Sequence, residues 1–315
     1  MSNSKQLVSI VLPTLNRPQP LRRALESLRQ QHVPEDIRLE IVVVDNSLDR
    51  SAIWVRDDAA LATNERPVHY VSEPRPGVAN ARNAGIANAS GVWVAFLDDD
   101  EEAESDWIWR HIETLRSSGA DASFGPVRAV AEEGNPSRML LDFFSRAIDR
   151  LDGADITDLA ALLGTNNSVF LRERCFARED VFDTTLNETG GEDSLLLQQL
   201  VIEGRKFAWA GRAGVIEWVP PRRLNWAYVA RRRFLSGQIR TFVQHMLGPT
   251  RWPQVMFWMV AGALQAPLWF TMSLSLAVID RDRAAQARSK AWGGLGKVLW
   301  ARRFRPRLYG GGLVS

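Results

Sequence analysis

Two short stretches of this 315-residue chain carry side chains that could do chemistry. The first is Phe96-Leu97-Asp98-Asp99-Asp100-Glu101, where four acids stand in a row. Carboxylates this close repel one another, and a hard divalent cation with oxygen ligands relieves that repulsion. Mg²⁺ or Mn²⁺ would in turn bring a phosphate-bearing substrate. The plainer alternative is an acidic helix N-terminus, since a helix is expected from Asp106. The second stretch is Thr189-Gly190-Gly191-Glu192-Asp193. Its glycines permit a tight turn, and Glu-Asp then opens a helix carrying Leu195, Leu196, Leu197 and Leu200. A carboxylate held at that helix start suits a general base for an acceptor hydroxyl. Helix capping by Thr189 or Asp193 would account for the same residues.

The acids follow Val92-Trp93-Val94-Ala95-Phe96-Leu97, a charge-free apolar run that suits a strand buried on both faces of a parallel sheet. Open α/β sheets bind ligands at the carboxyl ends of such strands. Two more runs, Leu7–Leu12 and Ile41–Val44, end in Pro13-Thr14-Leu15-Asn16-Arg17-Pro18 and Asp45-Asn46-Ser47. Between them Pro18 and Pro20 suit a helix start, and Leu21, Leu25 and Leu28 share one helical face. Strand, helix, strand makes a right-handed βαβ unit whose polar ends aim at one crevice. No G-x-G-x-x-G follows the first strand, so the dinucleotide fingerprint is absent. A third strand, Val68–Val71, leads into Glu73-Pro74-Arg75-Pro76-Gly77 and a helix with Ala79, Arg82, Asn83 and Ile86. Arg75 and Arg82 could neutralise diphosphate oxygens, or Arg82 could merely pair with an acid such as Asp98. Further strands are expected at 122–127, 164–171, 207–209 and 215–219. Asn166 and Asn167 suit either sugar hydroxyls or a turn.

A net charge of +2 gives no global case for nucleic acid, which is not an expected partner. The single Cys175 excludes an internal disulfide and a Cys-rich zinc site, and the four histidines show no metal-ligand spacing. The N-terminus lacks a signal-peptide pattern, so the catalytic part is expected in the cytoplasm. Arg222, Arg223, Arg231, Arg232, Arg233 and Arg240, interleaved with Trp226, Tyr228 and Phe234, suit a membrane surface or a diphosphate better than nucleic acid. Trp252–Ile279 holds no charged residue and is long enough to cross a bilayer. Basic residues flank it on both sides: Arg240 and Arg251 before, then Arg281, Arg283, Arg288, Lys290, Lys297, Arg302, Arg303, Arg305 and Arg307. A single span would export that tail against the positive-inside rule. The expectation is therefore a re-entrant or in-plane hairpin broken near Pro267, giving peripheral attachment at the cytoplasmic face of the plasma (inner) membrane. A buried helical pair capping a soluble domain is the alternative.

In order and spacing, Leu12-Pro13-Thr14-Leu15-Asn16-Arg17, Val43-Val44-Asp45-Asn46, Glu73-Pro74-Arg75-Pro76-Gly77, Ala81-Arg82-Asn83, the acidic run and Thr189–Asp193 resemble the inverting glycosyltransferases of family 2. The bacterial exopolysaccharide enzymes of succinoglycan type are the most similar group. The resemblance covers roughly residues 7–245. It implies an α/β GT-A fold, a Rossmann-like, mostly parallel sheet flanked by helices, over residues 1–248. A hydrophobic and basic helical membrane-attachment region would follow over 249–315. It further implies Mg²⁺ or Mn²⁺, a nucleotide diphosphate sugar donor (UDP-glucose expected) and a lipid-linked saccharide acceptor. On the matching positions, Pro13, Thr14 and Asp45 would hold the nucleoside, within a donor site that includes Asn16, Arg17, Arg75, Arg82, Asp98 and Asp99. Asp98 and Asp100 would hold the metal, Asp193 would be the base, and Glu192 would line the acceptor side. Glu217 stands where the family often has a His, which leaves the third metal ligand open. The Q-x-x-R-W signature of processive synthases is missing, so single addition is expected. Two rivals are a nucleotidyltransferase, which would want a Gly-rich basic loop after the first strand, and a silent nucleotide-sugar-binding scaffold, which would not need Asp98, Asp100 and Asp193 together.

Overall fold

The computed structural model describes residues 5–58 and 66–301. Arg302, Arg303, Arg305 and Arg307 of the expected basic tail lie outside the described residues. By contact the chain divides into two compact units. One comprises Met1–Arg128, Arg146–Asn187 and Leu196–Glu217, the other Ala129–Ser145, Glu188–Leu195 and Trp218–Ser315.

Along the chain the order begins β1 (Gln6–Thr14), α1 (Pro18–Arg29), β2 (Ile37–Asp45), α2 (Trp54–Asp57), β3 (Val68–Ser72), α3 (Val78–Asn88) and β4 (Trp93–Phe96). It continues with β5 (Glu101–Ala103), α4 (Trp107–Ser118), β6 (Ala122–Phe124) and β7 (Val127–Ala131). After α5 (Arg138–Phe144) of the second unit come β8 (Ser168–Leu171), α6 (Arg172–Cys175), α7 (Glu192–Ile202), β9 (Phe207–Trp209) and β10 (Val215–Val219). Seven strands make one sheet in the order β3-β2-β1-β4-β8-β6-β9. Its pairings are parallel except where β8 runs antiparallel to β4 and β6. A second sheet has the order β5-β10-β7.

The unbroken apolar runs follow from burial on both faces. Val8, Ile10, Leu12, Ile41, Val43 and Ala95 pack with α1 and α4 on one side. Val11, Val42, Val44, Val94 and Phe96 pack with α3 and the Leu196–Leu200 part of α7 on the other. Alternate residues of each strand therefore feed two cores, so a mixed pattern would leave a polar group in one of them. The run expected as one strand over 122–127 is two, because it breaks at Gly125-Pro126. Gly125 allows close approach there, its absent Cβ position lying 2.2 Å from the carbonyl oxygen of Ala213.

The second unit ends in three helices, α8 (Trp226–Met246), α9 (Trp252–Leu276) and α10 (Arg281–Val298). Helix α9 is continuous, with Pro267 inside it, so the break expected near Pro267 does not occur. The chain reverses after α9 instead, where the Asp280 carboxylate accepts hydrogen bonds from the Asp282 and Arg283 amides and starts α10. Contacts on both sides of Pro267 bind α9 to α10: Gly262 meets Gly294, and Trp269 lies against Lys290. That packing holds the helix across the hydrogen bond that proline removes. The three helices approach closely at Gly237, Gly262 and Gly296, where a Cβ would fall 2.0–2.5 Å from a carbonyl oxygen.

Candidate active site

The carboxyl end of β1 supplies Thr14 and the turn leading to Arg17, and the end of β4 supplies the acidic run, because β1 and β4 are parallel neighbours. The Thr14 hydroxyl donates to Asp99 at 2.8 Å. Arg17 bridges Asp99 at 3.1 Å and Asp100 at 3.0 Å. Of the three aspartates Asp99 points inward, its side chain 7% exposed, while Asp98 faces solvent at 36%. Burial pushes the Asp99 carboxyl up to about 7, helped by the charge of Asp100 and opposed by Arg17 and Thr14. Arg82, buried on α3, brings a guanidinium nitrogen to 3.6 Å from Asp98 and lies 5.5 Å from the ring of Phe182.

Glu101 ends the run, and its role differs from that of its neighbours. Its carboxylate accepts from the Asp98 amide at 3.1 Å and from the Asn166 side chain at 2.8 Å. Burial, with Asp98 and Glu217 nearby, raises it well above the usual carboxylate range. Glu217 pairs directly opposite Glu101 in the β5–β10 ladder. The four consecutive acids are thus an outward Asp98, an inward Asp99, an Asp100 held by Arg17 and a buried turn-closing Glu101.

Among the described residues, no group of three or more His, Cys, Asp and Glu side chains could hold a metal ion. Asp98 and Asp100 supply hard oxygen donors of the kind Mg²⁺ takes singly or in pairs, with water and substrate phosphate completing the octahedron. The donor set therefore fits Mg²⁺ or Mn²⁺ joined by a phosphate ligand rather than a closed protein cage.

The second stretch belongs to the other unit. Gly190 and Gly191 have φ of +72° and +98°, left-handed values that glycine adopts without strain. A Cβ on Gly191 would also meet Ile239 of α8 at 3.0 Å. Glu192 and Asp193 open α7, Glu192 buried and Asp193 partly exposed. Among the described residues, the Asp193 side chain accepts a local bond, from the Ser194 amide at 2.7 Å. A small apolar cleft beside this loop is lined by Thr189, Gly190, Leu235, Gln238, Ile239 and Phe242.

Residues 9–175 match the family model described as "Glycosyl transferase family 2". The chain belongs to glycosyl transferase family 2. It is 35% identical over 244 residues to the succinoglycan biosynthesis protein ExoM of Rhizobium meliloti, covering 76% of this chain and 75% of that one. It is 23% identical over 278 residues to the glycosyltransferase AglE of Haloferax volcanii, covering 85% and 84%. Its fold is shared with Staphylococcus aureus TarS 1–349 crystallised with UDP, at a TM-score of 0.54 and 17% identity over 94% of this chain and 91% of that one. The same fold appears in TarS 1–349 with UDP-GlcNAc, at a TM-score of 0.53 and 14% identity over 92% and 91%. The family 2 reading and the α/β GT-A fold expected from the motifs therefore hold.

Within the family 2 domain the remaining predicted residues divide. Pro13 is half-buried, and Asn16 is exposed with a φ of +56°. Asp45 is fully buried and accepts from the Ser47 amide and hydroxyl, the Ala52 amide and the Tyr70 hydroxyl. Those four bonds fill the acceptor capacity of a carboxylate, so direct contact with a nucleoside would have to displace one of them. Arg75 is exposed and makes a two-pronged pair with Glu73, at 2.9 and 2.7 Å. Asn167 is buried: its oxygen accepts from Trp107 Nε1 and faces His111 Nε2, and its nitrogen donates to two backbone carbonyls. It is thus a fold residue and not a sugar contact.

Several positioning residues escaped the sequence reading. Asn46 holds the 73–77 loop by donating to the Glu73 and Arg75 carbonyls and accepting from the Gly77 amide. Asn187 caps α3 by accepting from the Ala79 amide at 3.0 Å. Arg146 clamps the 164–167 turn through carbonyls of Gly164, Asn166 and Asn167. Each acts on a partner far along the chain, except Arg146 at eighteen or more residues, and local pattern carries no signal of such pairings.

Proposed function

We propose that the chain is an inverting, metal-dependent hexosyltransferase that moves a sugar from a nucleotide diphosphate donor, UDP-glucose foremost, to a hydroxyl of a lipid-linked saccharide. The observation that carries the reading is the meeting of Thr14, Arg17, Arg82 and Asp98–Asp100 at the carboxyl edge of β1 and β4. That edge combines anionic oxygens for a cation with two guanidinium groups for phosphate. Similarity to the succinoglycan protein ExoM supports a role in exopolysaccharide assembly. TarS, whose fold is shared, was crystallised with UDP and with UDP-GlcNAc, which supports a uridine nucleotide.

In this reading Arg82 and Arg17 neutralise donor phosphate oxygens, and Thr14 and Arg17 keep Asp99 turned away from them. Mg²⁺ or Mn²⁺ held by Asp98 and Asp100 would supply positive charge for the departing diphosphate. Asp193 takes the proton of the acceptor hydroxyl as its oxygen bonds to the anomeric carbon, and the bond from that carbon to the diphosphate breaks. One displacement turns an α-linked donor into a β-linked product. Helix α9 is long and apolar enough to cross a membrane, with 11% of its most apolar window buried. That bare surface supports attachment to a membrane, which this reading assigns to the cytoplasmic face of the inner membrane, where a lipid-linked acceptor would lie.

Titration calorimetry of UDP and GDP, with and without Mn²⁺, tests the proposal. UDP binding that tightens with Mn²⁺, and loses that gain in Asp100→Ala, is expected. Metal-independent affinity, or an unchanged Mn²⁺ effect in the variant, overturns the metal assignment. A folded protein that binds neither nucleotide overturns the donor class.

A further inference from the structure

The acidic turn is held from one side by a chain of hydrogen bonds that the reaction above does not use. Strands β4 and β8 are antiparallel, with Phe96 opposite Ser168. Continuing that register by two residues sets Asp98 opposite Asn166, and the contacts agree with it. Asn166 Nδ2 donates to Glu101 Oε1 at 2.8 Å, and Glu101 Oε2 accepts from the Asp98 amide at 3.1 Å. The Glu101 amide returns a bond to the Asp98 carbonyl, also at 3.1 Å. Glu101 is 1% exposed, whereas the Asp98 side chain is 36% exposed. A buried carboxylate thus fixes the backbone beneath an outward one. Burying a carboxylate costs free energy, and the backbone bond closes the turn without it. The extra bonds therefore serve the direction in which Asp98 points.

Arg146 fixes the far end of the chain. Its Nη1 donates to the Asn166 side-chain oxygen at 3.3 Å and to the Gly164 carbonyl at 3.2 Å. Its Nη2 donates to the carbonyls of Asn166 and Asn167 at 2.7 and 2.9 Å. With its oxygen turned to a guanidinium, the Asn166 amide must present its nitrogen to Glu101. Asn167 has a φ of +46°, a left-handed value that needs support from its surroundings, and the Arg146 bond to its carbonyl supplies that support. On the other side of the acidic turn, Thr14 and Arg17 hold Asp99 and Asp100 by their side chains. The Asn166–Glu101 chain holds Asp98 by its backbone instead. Neighbouring carboxylates repel one another, so oxygens kept in place by such outer bonds bind a cation more tightly than oxygens free to splay.

We propose that Asn166, oriented by Arg146 and acting through Glu101, is a positioning residue that sets the Asp98 carboxylate for the divalent cation. The proposal rests on the metal assignment made above, and it adds residues that lie outside the acidic run.

Mn²⁺ binding to the purified full chain at saturating UDP is followed by the electron paramagnetic resonance of free Mn²⁺, and UDP binding without metal by calorimetry. Asn166→Ala should weaken Mn²⁺ affinity by about tenfold or more and leave metal-free UDP affinity unchanged. Glu101→Gln keeps the size but cannot accept from both amides, so it should cause a similar loss. The double variant should lose little more than either single one, because both act through one chain. Should Asn166→Ala fail to fold, Glu101→Gln carries the same comparison alone. Mn²⁺ affinity untouched in the variants, or additive losses in the double variant, overturns the positioning role. A metal-free UDP affinity that falls as far as the Mn²⁺ affinity makes Asn166 a support of the fold alone and also overturns it. A wild type whose UDP affinity ignores Mn²⁺ overturns the metal assignment itself.

Discussion

At the scale of single residues, the acidic run works because its members are unlike. Asp99 is turned into the protein by Thr14 and Arg17, and Glu101 closes the turn through the Asp98 amide. Asp98 is thereby left as the outward carboxylate, beside Arg82. The sequence shows the four acids and both arginines, but not that Arg17 reaches acids 82 and 83 residues away. The helix-start position of Asp193 was likewise legible in the sequence. Asp193→Asn keeps the size and the local bond to Ser194 while removing basicity. Transfer should fall by about two to four orders of magnitude, with Mn²⁺-dependent donor affinity nearly unchanged. Turnover close to wild type would remove Asp193 from the mechanism.

At the scale of elements, what matters is how strands and helices are started and stopped. Helix α3 begins at Gly77, whose φ is +125° and whose absent Cβ would fall 2.1 Å from the Asn187 side chain that caps the helix. Gly119, just past α4, also has a positive φ, of +66°, but nothing lies within 4 Å of its absent Cβ. Gly119→Ala should therefore cost only backbone strain, about 1 kcal/mol. Gly77→Ala adds a clash and a displaced cap, and should cost roughly 3 kcal/mol. Denaturant titration of the two variants compares them; equal losses would mean that Asn187 yields without penalty. Strand runs were legible here because burial on both faces leaves them apolar throughout. The continuity of α9 through Pro267 was not, because it depends on α10 lying along both halves of the helix.

At the scale of the whole molecule, a buried polar centre under the large sheet should make one separable contribution to acid stability. His111 is fully buried between Ser123 and Asn167. The Asn167 nitrogen faces two carbonyls, so its oxygen faces the imidazole, which makes Nε2 the donor and leaves Nδ1 to accept from the Ser123 hydroxyl. Burial lowers His111 from 6.5 to about 4. The unfolded chain then takes up a proton at higher pH than the folded one, so the contribution of His111 to stability should fall as pH drops from about 6.5 towards 4, while Asp99 and Glu101, both raised by burial, act in the opposite sense. Thermal melts of wild type and His111→Gln across this range test it. The variant should be less stable than wild type at neutral pH, and that deficit should shrink on acidification; parallel pH curves would count against His111 as the titrating group.

The sequence by itself determined the βαβ alternation, the acidic edge, the apolar C-terminal helix and membership of the family. Each is written in contiguous residues whose hydrophobic period or charge is read locally. Tertiary structure alone decided which acid faces inward, that Asp45 and Asn167 are buried with their hydrogen bonds made within the fold, and that α9 runs on through Pro267. Those outcomes depend on strand order and helix packing, which bring together side chains tens of residues apart. Burial then sets the charge each carries, and no local pattern encodes burial of that kind.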